Sequence, residues 1–161
     1  MSINIICAVN NKGYIGKDGK LLYRIKKDLN HFRKLTENKT VIMGHKTYLE
    51  IGKALPNRRN IVLTNKNVNY SDIDIHNSFE DALNDALSNQ GEVFIIGGES
   101  LYKEALFLTD DIYLTEVDDD TEGDVIFPIE TIKFFFDKVS SIREQENGLK
   151  FEFNHYKLKG V

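Results

Sequence analysis

An aspartate stands where the pattern of its segment asks for an apolar side chain. Between Ile25 and Glu37 the residues Ile25, Leu29, Phe32 and Leu35 recur at the spacing of one helix face, and Asp28 projects from the middle of that stripe. An ionised carboxylate without a partner is costly to bury. A fold keeps one when it is paired, hydrogen-bonded, or used for chemistry that needs a raised pKa. The plainer alternative is an acid of the first helical turn, favoured by the positive end of the helix dipole, with its head turned to water.

Two further segments bring a strand end, glycine and a helix start together. In Phe94-Ile95-Ile96-Gly97-Gly98-Glu99-Ser100-Leu101-Tyr102 the paired glycines let the backbone turn sharply and approach a ligand, and the following helix offers N–H groups to a phosphate. Such a pair is also an ordinary tight connection, and it lacks the GxGxxG spacing of the dinucleotide fingerprint. In Val41-Ile42-Met43-Gly44-His45-Lys46-Thr47-Tyr48 a strand delivers glycine, two basic-capable side chains and a hydroxyl to a helix start. Cations there oppose the helix dipole, so a bound anion explains them better than stability does, although a solvated basic turn is the competing account. Two anion-ready turns in one sheet fit a ligand with phosphates spread along its length, as in a dinucleotide. Arg58, in Leu55-Pro56-Asn57-Arg58-Arg59-Asn60, suits bidentate capture of a carboxylate.

Other chemistries find little support. His31, His45, His76 and His155 follow no metal-ligand spacing, no G-x-S-x-G elbow is present, and no metal is expected. The acidic run Asp118, Asp119, Asp120, Glu122 and Asp124 lacks the EF-hand pattern and reads as a solvated loop.

The elements that must position these groups alternate along the chain. Strands are predicted over Ile3 to Val9, Thr40 to Met43, Asn60 to Leu63, Ile73 to Ile75, Glu92 to Ile96 and Asp111 to Val117. Four helices fit Ile25 to Glu37, Lys46 to Ile51, Phe79 to Ser88 and Glu99 to Phe107, the third with a capping box at Ser78 and Asp81 and with Gly91 beyond its end. Strand and helix in alternation predict an α/β domain with a mostly parallel sheet. Ile132 to Ser140 and Leu149 to Leu158, separated by the polar stretch Arg143 to Gly148, read as two antiparallel strands added at the sheet edge.

A chain of 161 residues with interspersed charges suits one domain, 1–161, large enough for a core with a cleft cut into it. A net charge of −4 gives no general attraction to nucleic acid or anionic lipid. The one cysteine, Cys7, lies in the apolar run Ile3-Asn4-Ile5-Ile6-Cys7-Ala8-Val9 and packs as a small hydrophobe. No secretory signal or membrane span is apparent, so a soluble cytoplasmic protein is expected, and a monomer is the expected state of assembly.

Read in order, several motifs resemble those of the dihydrofolate reductase family over nearly the whole chain. They are Ala8-Val9 with Tyr14-Ile15-Gly16; Asp28-Leu29 with Phe32 and Thr36; Val41-Ile42-Met43-Gly44; Lys46-Thr47-Tyr48 with Ile51-Gly52; Leu55-Pro56-Asn57-Arg58; Ile95-Ile96-Gly97-Gly98 with Tyr102; and Tyr113-Leu114-Thr115 with Gly123-Asp124 and Phe127-Pro128. The resemblance implies a mostly parallel, eight-stranded twisted sheet with C-terminal antiparallel edge strands and four flanking helices. It implies NADPH-dependent reduction of dihydrofolate to tetrahydrofolate in one-carbon metabolism, and binding of antifolate inhibitors.

Residue by residue, Asp28 matches the acid of the pterin pocket that assists protonation at N5, and Thr115 the threonine bonded to it. Ile6, Ala8, Leu29, Phe32 and Ile96 match pocket walls, Ile51 and Leu55 the aminobenzoyl clamp, and Arg58 the arginine that grips the glutamate carboxylate. For the cofactor, Ile15, Gly16 and Gly19 match the loop closing over nicotinamide. Gly44, His45, Lys46 and Thr47, together with Gly97, Gly98, Glu99, Ser100, Leu101 and Tyr102, match the phosphate-bearing stretch.

The chain departs from the family in places. Leu22-Tyr23 replace Pro-Trp, Lys26 replaces a further proline, and Tyr23 is the aromatic left to offer a polar tip beside the pterin. His45 and Ser100 stand where arginines often surround the cofactor's 2′-phosphate, which leaves Lys46 and the segment Leu63, Thr64, Asn65 and Lys66, with protonated His45, to select NADPH. Competing functions are a reductase of the same fold acting on a ribosylated pyrimidine, and a non-catalytic folate- or nucleotide-binding module. Asp28 together with Arg58 argues against the first, and Asp28 with Thr115 against the second.

Overall fold

Strands rich in Ile and Val, buried on both faces, form the centre of the molecule, as expected where a parallel sheet is covered by crossover helices. The computed structural model describes residues 2–89 and 91–160. Its main sheet has eight strands in the order β10-β11-β8-β1-β7-β4-β5-β6. These are β1 (Ile3–Asn10), β4 (Thr40–Gly44), β5 (Arg59–Leu63), β6 (Asp74–His76), β7 (Val93–Gly97), β8 (Asp111–Val117), β10 (Phe136–Glu146) and β11 (Leu149–Leu158). From β8 to β6 all neighbours are parallel, whereas β11 and β10 join antiparallel at the other edge.

A second, three-stranded sheet that sequence pattern did not reveal pairs β2 (Tyr14–Lys17) with β3 (Lys20–Leu21) and β9 (Val125–Ile126). Strands of two to four residues carry too few positions for a period-2 signal.

Among the described residues there are five α-helices rather than four: α1 (Lys26–Thr36), α2 (His45–Ile51), α3 (Phe79–Ser88), α4 (Glu99–Ala105) and α5 (Ile129–Phe135). The predicted helix to Phe107 closes as a separate 3-10 turn, Leu106–Leu108. Helix α5 corrects the strand expected from Ile132. Pro128 stands at its N-cap, and Ile129 and Ile132, three apart, pack on the core, whereas Phe134 and Phe135 face outward and mimic a strand composition. The polar stretch from Arg143 is also corrected, because β10 runs to Glu146. Asn147 and Gly148, both with positive φ (52° and 80°), make a two-residue hairpin turn of the Asn-Gly type.

Helix α3 starts as expected, with the Asp81 N–H donating to Ser78 Oγ at 3.1 Å, a cap worth about 1 kcal/mol. Helix α1 buries Ile25 at its N-cap and packs Phe32 and Leu35 against Val41, Met43, Val62 and Phe94, but leaves Leu29 47 % exposed. Among the described residues, no helix is long and apolar enough to cross a membrane.

Candidate active site

Parallel strands open a crevice where neighbouring connections diverge, and here β1 is flanked on one side by β8 and on the other by β7. Register brings Thr115 of β8 beside Ala8 of β1 and Phe153 of β11. Thr115, itself buried, donates its hydroxyl to Asp28 Oδ1 at 2.6 Å across 87 positions of sequence. Burial raises the Asp28 pKa above the ordinary carboxylate value, and the Thr115 hydrogen bond offsets part of that rise. Asp28 is therefore the acid of the apolar stripe, held by a hydroxyl that satisfies one oxygen without neutralising its charge. Cys7 lies nearby, its thiol pushed up by burial.

The expected pocket walls converge. Ile6, Phe32, Ile51, Leu55 and Ile96 meet in one apolar cluster with Val41, Met43, Tyr48, Val62 and Phe94. Ala8 joins them through its register with Thr115, while Leu29 lies outside the cluster and exposed. Arg58 is pinned to the same wall. Its Nε donates to the Pro56 carbonyl at 2.8 Å, its Nη1 to Thr36 Oγ1 at 3.1 Å, and its guanidinium sits 5.9 Å from the Phe32 ring centroid. Burial lowers its pKa, against a basic value too high for any loss of charge near neutrality.

On the other side of β1, the glycine-led turns that follow β4 and β7 are adjacent, since Met43 pairs with Gly97. A Cβ on Gly44 would sit 3.7 Å from the Gly98 nitrogen. Gly97 has a φ of +137°, and a Cβ there would press to 3.2 Å from Thr47 Oγ1, so the two turns form one cradle of bare backbone with a hydroxyl at its side. The Gly97–Gly98 peptide is cis. Within the α4 part of the expected site, Leu101 and Tyr102 point into the core: Tyr102 donates its hydroxyl to the Ile6 carbonyl at 2.9 Å and packs edge-on against Phe127. Ser100 and Lys46 are exposed, and Glu99 Oε2 accepts from the Ile126 N–H at 3.4 Å.

Past the cradle, β5 ends at Leu63, in register with Gly44. Thr64, Asn65 and Lys66 then line a groove of about 410 Å³ with Ile75, His76 and Asn77. His45 reaches toward it with both ring nitrogens engaged, Nε2 with the Tyr70 hydroxyl at 2.9 Å and Nδ1 with Thr64 Oγ1 at 3.3 Å. Tyr70 had no signal in local sequence, because it arrives from 25 residues away.

Ile15, Gly16 and Gly19 fall in or beside the three-stranded sheet. The Asp124 N–H donates to the Gly16 carbonyl at 2.9 Å, Asp124 Oδ2 accepts from the Asp18 N–H at 2.9 Å, and a Cβ on Gly123 would collide with the Gly16 carbonyl oxygen. The acidic run is the solvated loop expected, with Asp118, Asp120, Glu122 and Asp124 exposed, and it also brackets the neighbouring loop. Tyr23 belongs to that bracket as well: its hydroxyl donates to the Asp119 carboxylate and accepts from Asn10 Nδ2 at 3.2 Å. Burial, then Asp119, push its pKa up to about 12. Thr115 is the partner of Asp28 among the described residues, and Tyr23 makes no hydrogen bond to it.

The family profile described as dihydrofolate reductase matches residues 2–158. The dihydrofolate reductase of Staphylococcus haemolyticus is 38 % identical over 157 residues, covering 97 % of this chain and 91 % of that protein. That of Staphylococcus aureus is 35 % identical over 159 residues, covering 96 % and 97 %. The solved structure of dihydrofolate reductase from Enterococcus faecalis, complexed with NADP(H) and RAB-propyl, superposes with a TM-score of 0.90 at 29 % identity, over 98 % of this chain and 96 % of that one. A profile spanning nearly every residue, relatives above 30 % identity and a shared fold leave one conclusion: the chain belongs to the dihydrofolate reductase family.

Proposed function

We propose that this chain reduces dihydrofolate to tetrahydrofolate, with Asp28 as the group that binds the pterin and assists protonation at N5, and that it serves one-carbon metabolism. Family membership makes it an NADPH-dependent oxidoreductase. The observation that carries the finer assignment is the Thr115–Asp28 pair, a half-buried acid with a raised pKa and, among the described residues, one hydroxyl partner, one helical turn before Phe32 of the apolar cluster. A carboxyl of this kind has two oxygens to offer. One is engaged by Thr115, and the other is suited to accept from an amino and ring N–H pair. Burial moves its pKa in the direction that favours the protonated form, which suits an acid that assists proton transfer. Arg58, remote from Asp28 in sequence and fixed on the Phe32 wall, suits the carboxylate tail.

The residues present fit the cofactor. Gly44, Gly97 and Gly98 present a cradle of bare backbone that a Cβ on Gly97 would crowd, Thr47 supplies a hydroxyl beside it, and Thr64 to Lys66 line a groove beyond it. NADPH, when bound, supplies the hydride, and the chain's part is to fix distance and deliver the proton. Loss of the nicotinamide absorbance on mixing protein, NADPH and dihydrofolate tests the activity directly. Binding of both ligands without turnover would leave a binding module instead.

A further inference from the structure

Helix α1 carries Asp28 in its first turn, yet its own N-cap, Ile25, has no side chain able to accept from the helix N–H groups. The acceptor comes from the far end of the chain. Glu146, the last residue of β10 at the Asn147-Gly148 hairpin, accepts from the Lys26 N–H through Oε2 at 2.8 Å and from the Lys27 N–H through Oε1 at 3.0 Å. Both carboxylate oxygens are used, on the first two helical residues. A negative charge at this end is also favoured by the helix dipole.

The same hairpin holds α1 one turn later. On β11 the Phe153 ring stacks on His31 at 4.0 Å between centroids and 13° between planes, and Phe153 is the register neighbour of Thr115. Asp28 thus lies between two grips from one hairpin, Glu146 before it and Phe153 after it, and meets Thr115 in the span between them. The charged groups around Glu146 are Lys26 and Lys27 on α1 and Glu144 on its own strand. Lys27 Nζ pairs with Glu144 at 2.9 Å, but the half-exposed pair adds little.

From this arrangement we infer that Glu146 is a positioning residue for Asp28, a cap supplied from a distant part of the same chain, the β10–β11 hairpin, that orders the start of α1 and so sets the geometry of the carboxyl. The inference rests on the role assigned to Asp28 above. It also accounts for Lys26, which occupies the first helical position. A proline there, as in the family, carries a fixed φ and no N–H to satisfy. Lysine leaves an N–H to be paired and a looser backbone, and Glu146 supplies the partner and the restraint.

The test is a double-mutant cycle on the full chain with Glu146→Ala and Lys26→Pro, read by carbon NMR titration of the Asp28 carboxyl in the free protein and by steady-state kinetics with NADPH and dihydrofolate. The extended backbone of Ile25 (φ −103°, ψ 121°) accepts a following proline, and circular dichroism checks that each variant folds. Glu146→Ala is expected to shift the Asp28 titration toward the ordinary carboxylate value, and to lower kcat/KM for dihydrofolate by roughly three- to tenfold with KM for NADPH unchanged. Glu146→Gln, which keeps the size and one acceptor oxygen, is expected to recover part of the loss. In the Lys26→Pro background the loss should shrink to about twofold or less. Lys26→Ala, which keeps the N–H, should give no such protection.

An unmoved Asp28 titration in Glu146→Ala, or equal losses with and without proline, would overturn the assignment. A mistaken role for Asp28 shows differently: its titration would shift in Glu146→Ala while Asp28→Asn still turned over.

Discussion

The two halves of the cleft are built by different means. At the α1 end, the proposed function rests on side chains brought from distant parts of the chain: Asp28 from a helix, Thr115 from β8, Arg58 from the loop before β5. At the β4/β7 end it rests on bare backbone, where Gly44, Gly97 and Gly98 lie close together and Gly97 holds a φ that favours glycine. Charge and proton transfer need a titratable group in a tuned environment, whereas a long polyanion needs open backbone and room. Substitutions at the first end should therefore change chemistry and substrate affinity, and those at the second should change cofactor binding.

Asp28→Asn is the most severe break. The amide keeps the size but carries neither charge nor proton, so turnover near neutral pH should fall by roughly 10²–10⁴-fold, with NADPH affinity unchanged. Wild-type turnover in a folded variant would remove Asp28 from the chemistry. Stability should move the other way. Because the folded-state pKa of Asp28 is raised, the native protein holds its proton where the unfolded chain has lost it, and stability declines as pH rises through the folded value. Asn lacks that decline, so the variant should outlast the parent in thermal denaturation above neutrality and match it near pH ~3, below the unfolded value.

Arg58→Leu should weaken dihydrofolate binding by about 2–4 kcal/mol while single-turnover hydride transfer falls much less, since the tail lies away from the reacting carbon. Unchanged affinity would place the tail elsewhere. Gly97→Ala sharpens the contrast from the cofactor side. Its φ of +137° and the 3.2 Å approach to Thr47 Oγ1 should cost about 1–3 kcal/mol, read as a higher KM for NADPH with little change for dihydrofolate. The reverse pattern would mean that the cradle serves the substrate. Tyr102→Phe should have the smallest effect, about 1 kcal/mol of stability from the lost bond to the Ile6 carbonyl, with cofactor affinity almost unaltered. A large loss of NADPH binding would show that the hydroxyl acts beyond the core.

Much of this contrast was legible in sequence, though unevenly. The glycine turns are local signals, each a strand, a glycine and a helix start within a few residues, and they appear where expected. Asp28 was legible as an anomaly in a helical stripe, but its partner was named only through family resemblance, because no periodicity links residues 87 apart. Helix α5 is hidden in sequence because Phe134 and Phe135 match a strand in composition while its core-facing residues are Ile129 and Ile132. Tyr23 is legible as an aromatic with a polar tip, whereas its partners Asp119 and Asn10 are set by the tertiary fold.

What the sequence by itself determined is the longer strands of the parallel sheet, helices α1 to α4 and the residue types at their ends: hydrophobic period separates helix from strand, and glycine marks where backbone must turn. Only the tertiary structure decided which side chains meet. The order of strands in the sheet places Thr115 against Asp28 and the two glycine turns side by side, and the final hairpin brings Glu146 to the start of α1. Pattern reports the environment of one segment, whereas a pKa, a cap or a cradle depends on atoms from several segments converging within a few ångströms.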